Sequence, residues 1–155
     1  MSRALVVCIG NDLVADDGVG KAVHGSLELS RLPSGTRLSY LGLGGIDLLE
    51  ELNGEERLVV VDAVQFGSAP GTVHVLDWAG LPYMEPRPVS GHGIGVREAI
   101  EVGRRLYPER SPQHVHLVGI EGRCFDQLGQ GLTPEVEAAV VVAVAAVLRL
   151  LGRGS

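Results

Sequence analysis

An α/β layered domain is predicted by three features of the chain: short apolar runs rich in Val and Ile, amphipathic stretches of helix length between them, and turn-forming loops where the runs end. Apolar runs without polar alternation belong to strands buried on both faces, which is how a mostly parallel sheet covered by helices reads in sequence. The first such run is ALVVCIG (Ala4 to Gly10), followed by a helix over roughly Gly18 to Leu32. TRLSYLG is strand 2, a short helix covers roughly Ile46 to Leu52, and RLVVVDAV is strand 3. Strand 4, GTVHVLDW, starts only a few residues after Val64, across the link QFGSAP. A parallel return needs a crossover of about a dozen residues or more, so strand 4 is expected to run antiparallel.

The second half begins with a Pro-rich loop, LPYMEPRPVSGHG, and a helix near Val96 to Leu106. HVHLVGIE then supplies strand 5, and GLTPEVEAAVVVAVAAVLRLL a long last helix. Thr133 and Pro134 suit its N-cap and first helical position, with Glu135 and Glu137 favourable near the positive end of the helix dipole. Its interior is apolar almost all round, which points to burial against the sheet ahead of a partner surface. No repeat or linker interrupts the 155 residues, and one domain over 1–155 is expected.

With 45 % hydrophobic and 21 % charged residues the balance is that of a soluble globular protein. A formal charge of −6 speaks against nucleic-acid binding, which draws on clustered Lys and Arg. Cys8 and Cys124 stand far apart and outside any CxxC spacing, so neither a disulfide framework nor a structural zinc site is indicated. The N-terminal apolar run is too short for a secretion signal, and the longest apolar stretch, Ala138 to Leu148, falls short of a membrane span. A cytoplasmic protein with no membrane partner is the expectation.

In an open α/β sheet, ligands bind beyond the carboxyl ends of the strands where strand order reverses. Strand 1 leads into NDLVADDGVG, which carries Asp12, Asp16 and Asp17, and strand 3 closes its apolar run with Asp62. If strands 1 and 3 are neighbours, these acidic sites converge. His92, in SGHGIG, is flanked by Gly91, Gly93 and Gly95, which let a backbone approach closely. Two carboxylates and an imidazole with positions left open suit a borderline transition metal such as nickel or zinc. Each residue also has a plainer reading. Asp17 suits the positive end of a helix, Asp62 a strand-end turn, and His92 an ordinary loop. His114 and His116 share one face of strand 5 and read as structural or solvent-facing, His24 and His74 carry no signal, and Cys8 reads as a small core residue. The Gly10 to Gly20 turn matches neither phosphate-binding fingerprint, and no GxSxG elbow is present.

Taken in order, IGNDLVADDGVG, LVVVDAV, the link to PGTV, SGHGIGV, HLVGIE and GLTPEVEAAV resemble the hydrogenase maturation proteases over almost the whole chain. The resemblance implies a three-layer α/β/α sandwich of the phosphorylase/hydrolase-like type, with a five-stranded mixed sheet. It also implies an aspartyl-type endopeptidase that removes a C-terminal extension from the large-subunit precursor of a [NiFe]-hydrogenase after nickel insertion. The nickel is then presented by that precursor, with no organic cofactor, and the protease acts as a monomer in a transient complex. The family's metal-contacting acidic residue in the first loop maps to Asp17, its aspartate after strand 3 to Asp62, and its histidine to His92. Which of the three also takes part in bond cleavage is left open by the residues. A non-catalytic nickel or precursor chaperone, and a metallohydrolase of small substrates, are the alternatives on the same pocket. One segment, Tyr40 to Gly45, departs from the family: where an Asp-Gly-Gly-Thr-like stretch is usual after strand 2, this chain has Tyr40, Leu41 and Leu43, and Gly42, Gly44 and Gly45 keep flexibility while the polar groups are gone, so the recognised large subunit is open. Cys8 stands where Gly is usual.

Overall fold

The structure, a computed structural model, describes residues 3–11, 15–42, 46–77, 96–127 and 131–152. Five strands, β1 (Ala4–Ile9), β2 (Thr36–Leu41), β3 (Arg57–Val64), β4 (Val73–Asp77) and β5 (His114–Glu121), form one sheet in the order β2-β1-β3-β5-β4. All neighbouring pairs are parallel except β4 with β5, which is antiparallel as the short link requires. Strand order reverses between β1 and β3, since the chain first steps from β1 outward to β2 and then returns past β1 to β3.

Alternation along the central strands sends side chains to two separate cores. Val6, Cys8, Val59, Val61, Val118 and Ile120 meet helix α1 (Val19–Glu28) and helix α4 (Pro134–Gly152) on one face. Leu5, Val7, Ile9, Leu58, Val60 and Leu117 meet α2 (Ile46–Glu51) and α3 (Val96–Leu106) on the other. Helices on both faces make the three-layer α/β/α sandwich, and explain why β1 and β3 lack polar alternation.

Three elements depart from expectation. The first helix starts within one residue of expectation, after a 3-10 turn over Ala15–Gly18 in which Ala15 takes a positive φ of 32°, but it ends early, the chain leaving α1 at Leu29. Strand 4 starts at Val73, because Gly71, with a left-handed φ of 87°, belongs to the turn of the link, while Trp78 lies outside the described residues. α4 is not buried all round. Val136, Ala139, Ala143, Val147 and Leu150 face the sheet, while Val141 and Val142 are 76 % and 52 % exposed. No helix among the described residues is long and apolar enough to cross a membrane.

Glu121 organises the β3–β4 link, a role no sequence pattern announces. Its buried carboxylate accepts the N–H groups of Phe66 and Gly67 and lies 3.1 Å from His74 Nε2, while its own N–H and C=O bond Thr72 and Gly71. His74 is therefore a structural partner of a buried acid.

Near the amino ends of the strands, Glu55 binds Arg37 Nε at 3.0 Å and the Asn53 N–H at 3.0 Å. Burial alone would raise the Glu55 carboxyl, but the Arg37 and backbone hydrogen bonds outweigh it and hold it below its ordinary 4.5. A group whose acid form is disfavoured by folding stabilises the protein above its unfolded pKa and loses that contribution as pH falls through the lowered folded value. Urea midpoints measured downward from neutral pH should therefore drop below about pH 4.5, the unfolded value. Glu55→Gln should be less stable at pH 7 and respond more weakly to acid.

Candidate active site

The loop after β1 is held in place by two glycines. A Cβ on Gly10 would lie 2.1 Å from the Asp17 carbonyl oxygen, and one on Gly20 would lie 2.1 Å from that of Ile9. No side chain fits at either distance, so the start of α1 is pressed directly against the end of β1. Gly20→Ala should destabilise the fold by roughly 3 kcal/mol, the upper range for overpacking, because the obstacle is backbone. Chemical denaturation reads this directly.

Within that close crossing, Asp16 and Asp17 are both buried but are held differently. The Asp16 carboxylate accepts from Arg123 N at 2.7 Å, Cys124 N at 2.8 Å and Thr133 N at 2.8 Å, and from the Thr133 hydroxyl. Its own N–H donates to the Cys124 carbonyl. Asp16 thus fastens the first loop to the chain after β5 and to the residue preceding α4, where the helix dipole favours a negative charge. Thr133 and Pro134 stand at the expected N-cap and first helical positions, the Thr133 carbonyl accepting the Glu137 N–H, and the Thr133 hydroxyl is given to Asp16.

Asp17 accepts the Asn11 N–H on Oδ2 at 3.1 Å and belongs to a turn that packs against β3. Asp62 is the next residue of β3 after the β1–β3 pairing ends at Cys8 opposite Val61. It is 2 % exposed, and Oδ1 accepts the N–H of Ala63 at 2.8 Å. Strand alternation turns Asp62 toward the side of the sheet covered by α2 and α3. Both carboxylates therefore belong to the carboxyl ends of β1 and β3, at the point of strand-order reversal, where α/β proteins bind ligands.

His92 lies outside the described residues, as does Asp12. The sequence puts His92 four residues before Val96, the first residue of α3. Among the described residues no three His, Cys, Asp or Glu side chains are grouped so as to hold a metal. The described share of the candidate site is thus Asp17 and Asp62, both buried. Buried carboxylates at this position suit an incoming cation, because charge interactions strengthen where water is excluded.

Cys8 bears out its reading as a core residue. Burial and the nearby negative Asp62 push its thiol up to about 12, so it stays protonated at neutral pH and is no nucleophile. His116 Nε2 lies 2.8 Å from Arg57 Nη1, far along β5 from its Glu121 end, and reads as structural. The altered segment Tyr40 to Gly45 is expected to lack polar groups; Leu43, Gly44 and Gly45 lie outside the described residues, and Tyr40 and Leu41 close β2. The Tyr40 hydroxyl nonetheless reaches the loop, donating to the Gly10 carbonyl at 2.5 Å.

Comparison with known proteins agrees with this fold. The family model described as hydrogenase maturation protease matches residues 29–150. The hydrogenase expression/formation protein HupD of Rhodobacter capsulatus is 33 % identical over 151 residues, covering 96 % of this chain and 71 % of that protein. Among solved structures, the hydrogenase maturating endopeptidase HybD from Escherichia coli superposes with a TM-score of 0.78 at 26 % identity, covering 96 % of this chain and 91 % of that one. The [NiFe] hydrogenase maturation protease HybD from Thermococcus kodakarensis gives a TM-score of 0.68 at 25 % identity, covering 96 % and 99 %.

Proposed function

The chain belongs to the hydrogenase maturation protease family, and from that premise we propose that it is the endopeptidase that trims a C-terminal extension from the large-subunit precursor of a [NiFe]-hydrogenase once nickel is in place. The observation that carries the site assignment is the pair of buried acids, Asp17 and Asp62, at the carboxyl ends of neighbouring strands β1 and β3.

In this reading the two carboxylates and His92, assigned from sequence alone, contact nickel that arrives with the precursor. Carboxylate oxygen and imidazole nitrogen suit such a borderline ion, and a partial donor set leaves room for the ligands the precursor brings. Metal occupancy then becomes the condition for docking the tail. Desolvating two acids without a cation is costly, so a precursor lacking nickel gains little by entering. The scissile bond is cut by hydrolysis, with Asp17, Asp62 or His92 within the group that orients the attacking water or moves its proton. The protease is a cytoplasmic monomer that meets its substrate transiently.

Mass spectrometry of a nickel-loaded precursor incubated with the purified protein tests this. Loss of a defined C-terminal peptide is expected. A precursor that binds and stays intact over many equivalents of protein would mark a chaperone instead, and an uncut, unbound precursor would remove the assignment altogether.

A further inference from the structure

Asp17 is held by a peptide unit that is itself held by a side chain. The carbonyl of Gly10 and the N–H of Asn11 are the two ends of one peptide bond. Its N–H donates to Asp17 Oδ2 at 3.1 Å, and its carbonyl accepts the Tyr40 hydroxyl at 2.5 Å. The preceding peptide is fixed too, since the Gly10 N–H donates to the Leu41 carbonyl at 3.0 Å. β2 therefore grips Gly10 on both sides, once through its backbone and once through Tyr40.

We infer that Tyr40 is a positioning residue for Asp17, acting through the Gly10–Asn11 peptide. This rests on the reading of Asp17 as a working carboxylate. Two properties of the amide group make the link effective. The unit is planar, so fixing its oxygen fixes the direction of its N–H. Hydrogen bonds in series also polarise one another, so a hydroxyl on the carbonyl makes the N–H at the other end a stronger donor. Asp17 is thereby given one preferred orientation before any substrate arrives.

Tyr40 is itself well anchored for the task. It stands opposite Cys8 in the β1–β2 register and packs on the core beneath α1. His24 lies 5.8 Å from its ring, centroid to centroid, and Lys21 Nζ lies 5.8 Å from the ring centroid. These two residues are three apart on α1 and so share a face. They set the ring, and the ring directs the hydroxyl beyond the strand end. The segment that departs from the family pattern therefore supplies a polar group of its own.

Tyr40→Phe keeps the ring and its packing and removes only the hydroxyl, so the whole protein can be compared in two ways. In the free protein, the backbone amide proton of Asn11 should move upfield in a nitrogen–proton correlation spectrum while amides within β3 and β5 stay in place. In precursor processing, kcat should fall about 10-fold, the lower range for removing a group that orients a metal-contacting side chain, with KM and the melting temperature unchanged. An unmoved Asn11 amide, a wild-type kcat, or a change confined to KM would overturn the inference. So would a loss of kcat that comes with displaced strand amides and a lowered melting temperature, which is general loosening. If the wild-type protein cuts no precursor, the proposed function fails on its own, and the Asn11 amide still decides whether Tyr40 controls the peptide that holds Asp17.

Discussion

Asp17→Asn should abolish precursor processing, by about 100-fold or more, while leaving the melting temperature close to that of the parent. The substitution keeps side-chain size and retains an amide oxygen able to accept the Asn11 N–H that Asp17 Oδ2 now accepts at 3.1 Å. What it removes is charge. A neutral amide is a much weaker partner for a cation than a carboxylate, above all in a water-excluded turn. Asp62→Asn should behave alike, because its anchoring bond to the Ala63 N–H is likewise kept by an amide oxygen. Processing followed by the change in precursor mass, with circular dichroism melts alongside, separates lost function from lost fold. Normal processing by both variants would remove the acid pair from the site.

The neighbouring residue should behave in the opposite sense. Asp16→Ala strips the acceptor from three backbone N–H groups, those of Arg123, Cys124 and Thr133, and from the Thr133 hydroxyl. Buried donors left without partners cost about 1–3 kcal/mol each where water cannot replace the lost oxygen. Partial relaxation brings the expected total to roughly 4 kcal/mol, or about 10 °C in melting temperature for a domain of this size. Denaturant and thermal midpoints check it. Adjacent carboxylates of equal burial should thus separate cleanly, Asp16 affecting stability and Asp17 processing.

That division shows what was legible in the sequence and what was not. β3, α3 and β5 read with their observed limits because Val- and Ile-rich runs and a strongly amphipathic stretch are local signals. Asp62 was legible because an acid closing an apolar run has to find a partner if buried. The antiparallel β4 followed from the length of one link. Asp16 gave no such sign, since its partners stand 107 to 117 residues away and are mostly backbone, which no residue pattern displays. Glu121 was hidden for the same reason, its partners lying on the β3–β4 link. The first helix reads with its start within one residue, but its end falls at Glu28 instead of Leu32, because the Leu29 and Ser30 N–H groups turn back onto the Ser26 and Leu27 carbonyls, a tight closing turn that apolar periodicity does not display. Tyr40 looked like a loss of polarity, and only the β1–β2 register brings its hydroxyl to the Gly10 carbonyl.

The exposed stripe on α4 has a simpler lesson. An apolar helix in sequence suggested deep burial against the sheet, and α4 buries one face there, yet Val141 and Val142 on its other side face outward. Apolar composition counts residues and does not say how many faces a neighbour covers.

Under the proposed function, the acids at the ends of β1 and β3 test the precursor for nickel before it is cut. The most direct measurement is processing of one precursor in two states, nickel-loaded and nickel-free, by the same purified protein, with product mass followed over time. The loaded form should lose its C-terminal extension and the metal-free form keep it, with Asp17→Asn processing neither. Equal trimming of both forms by the parent protein would contradict this.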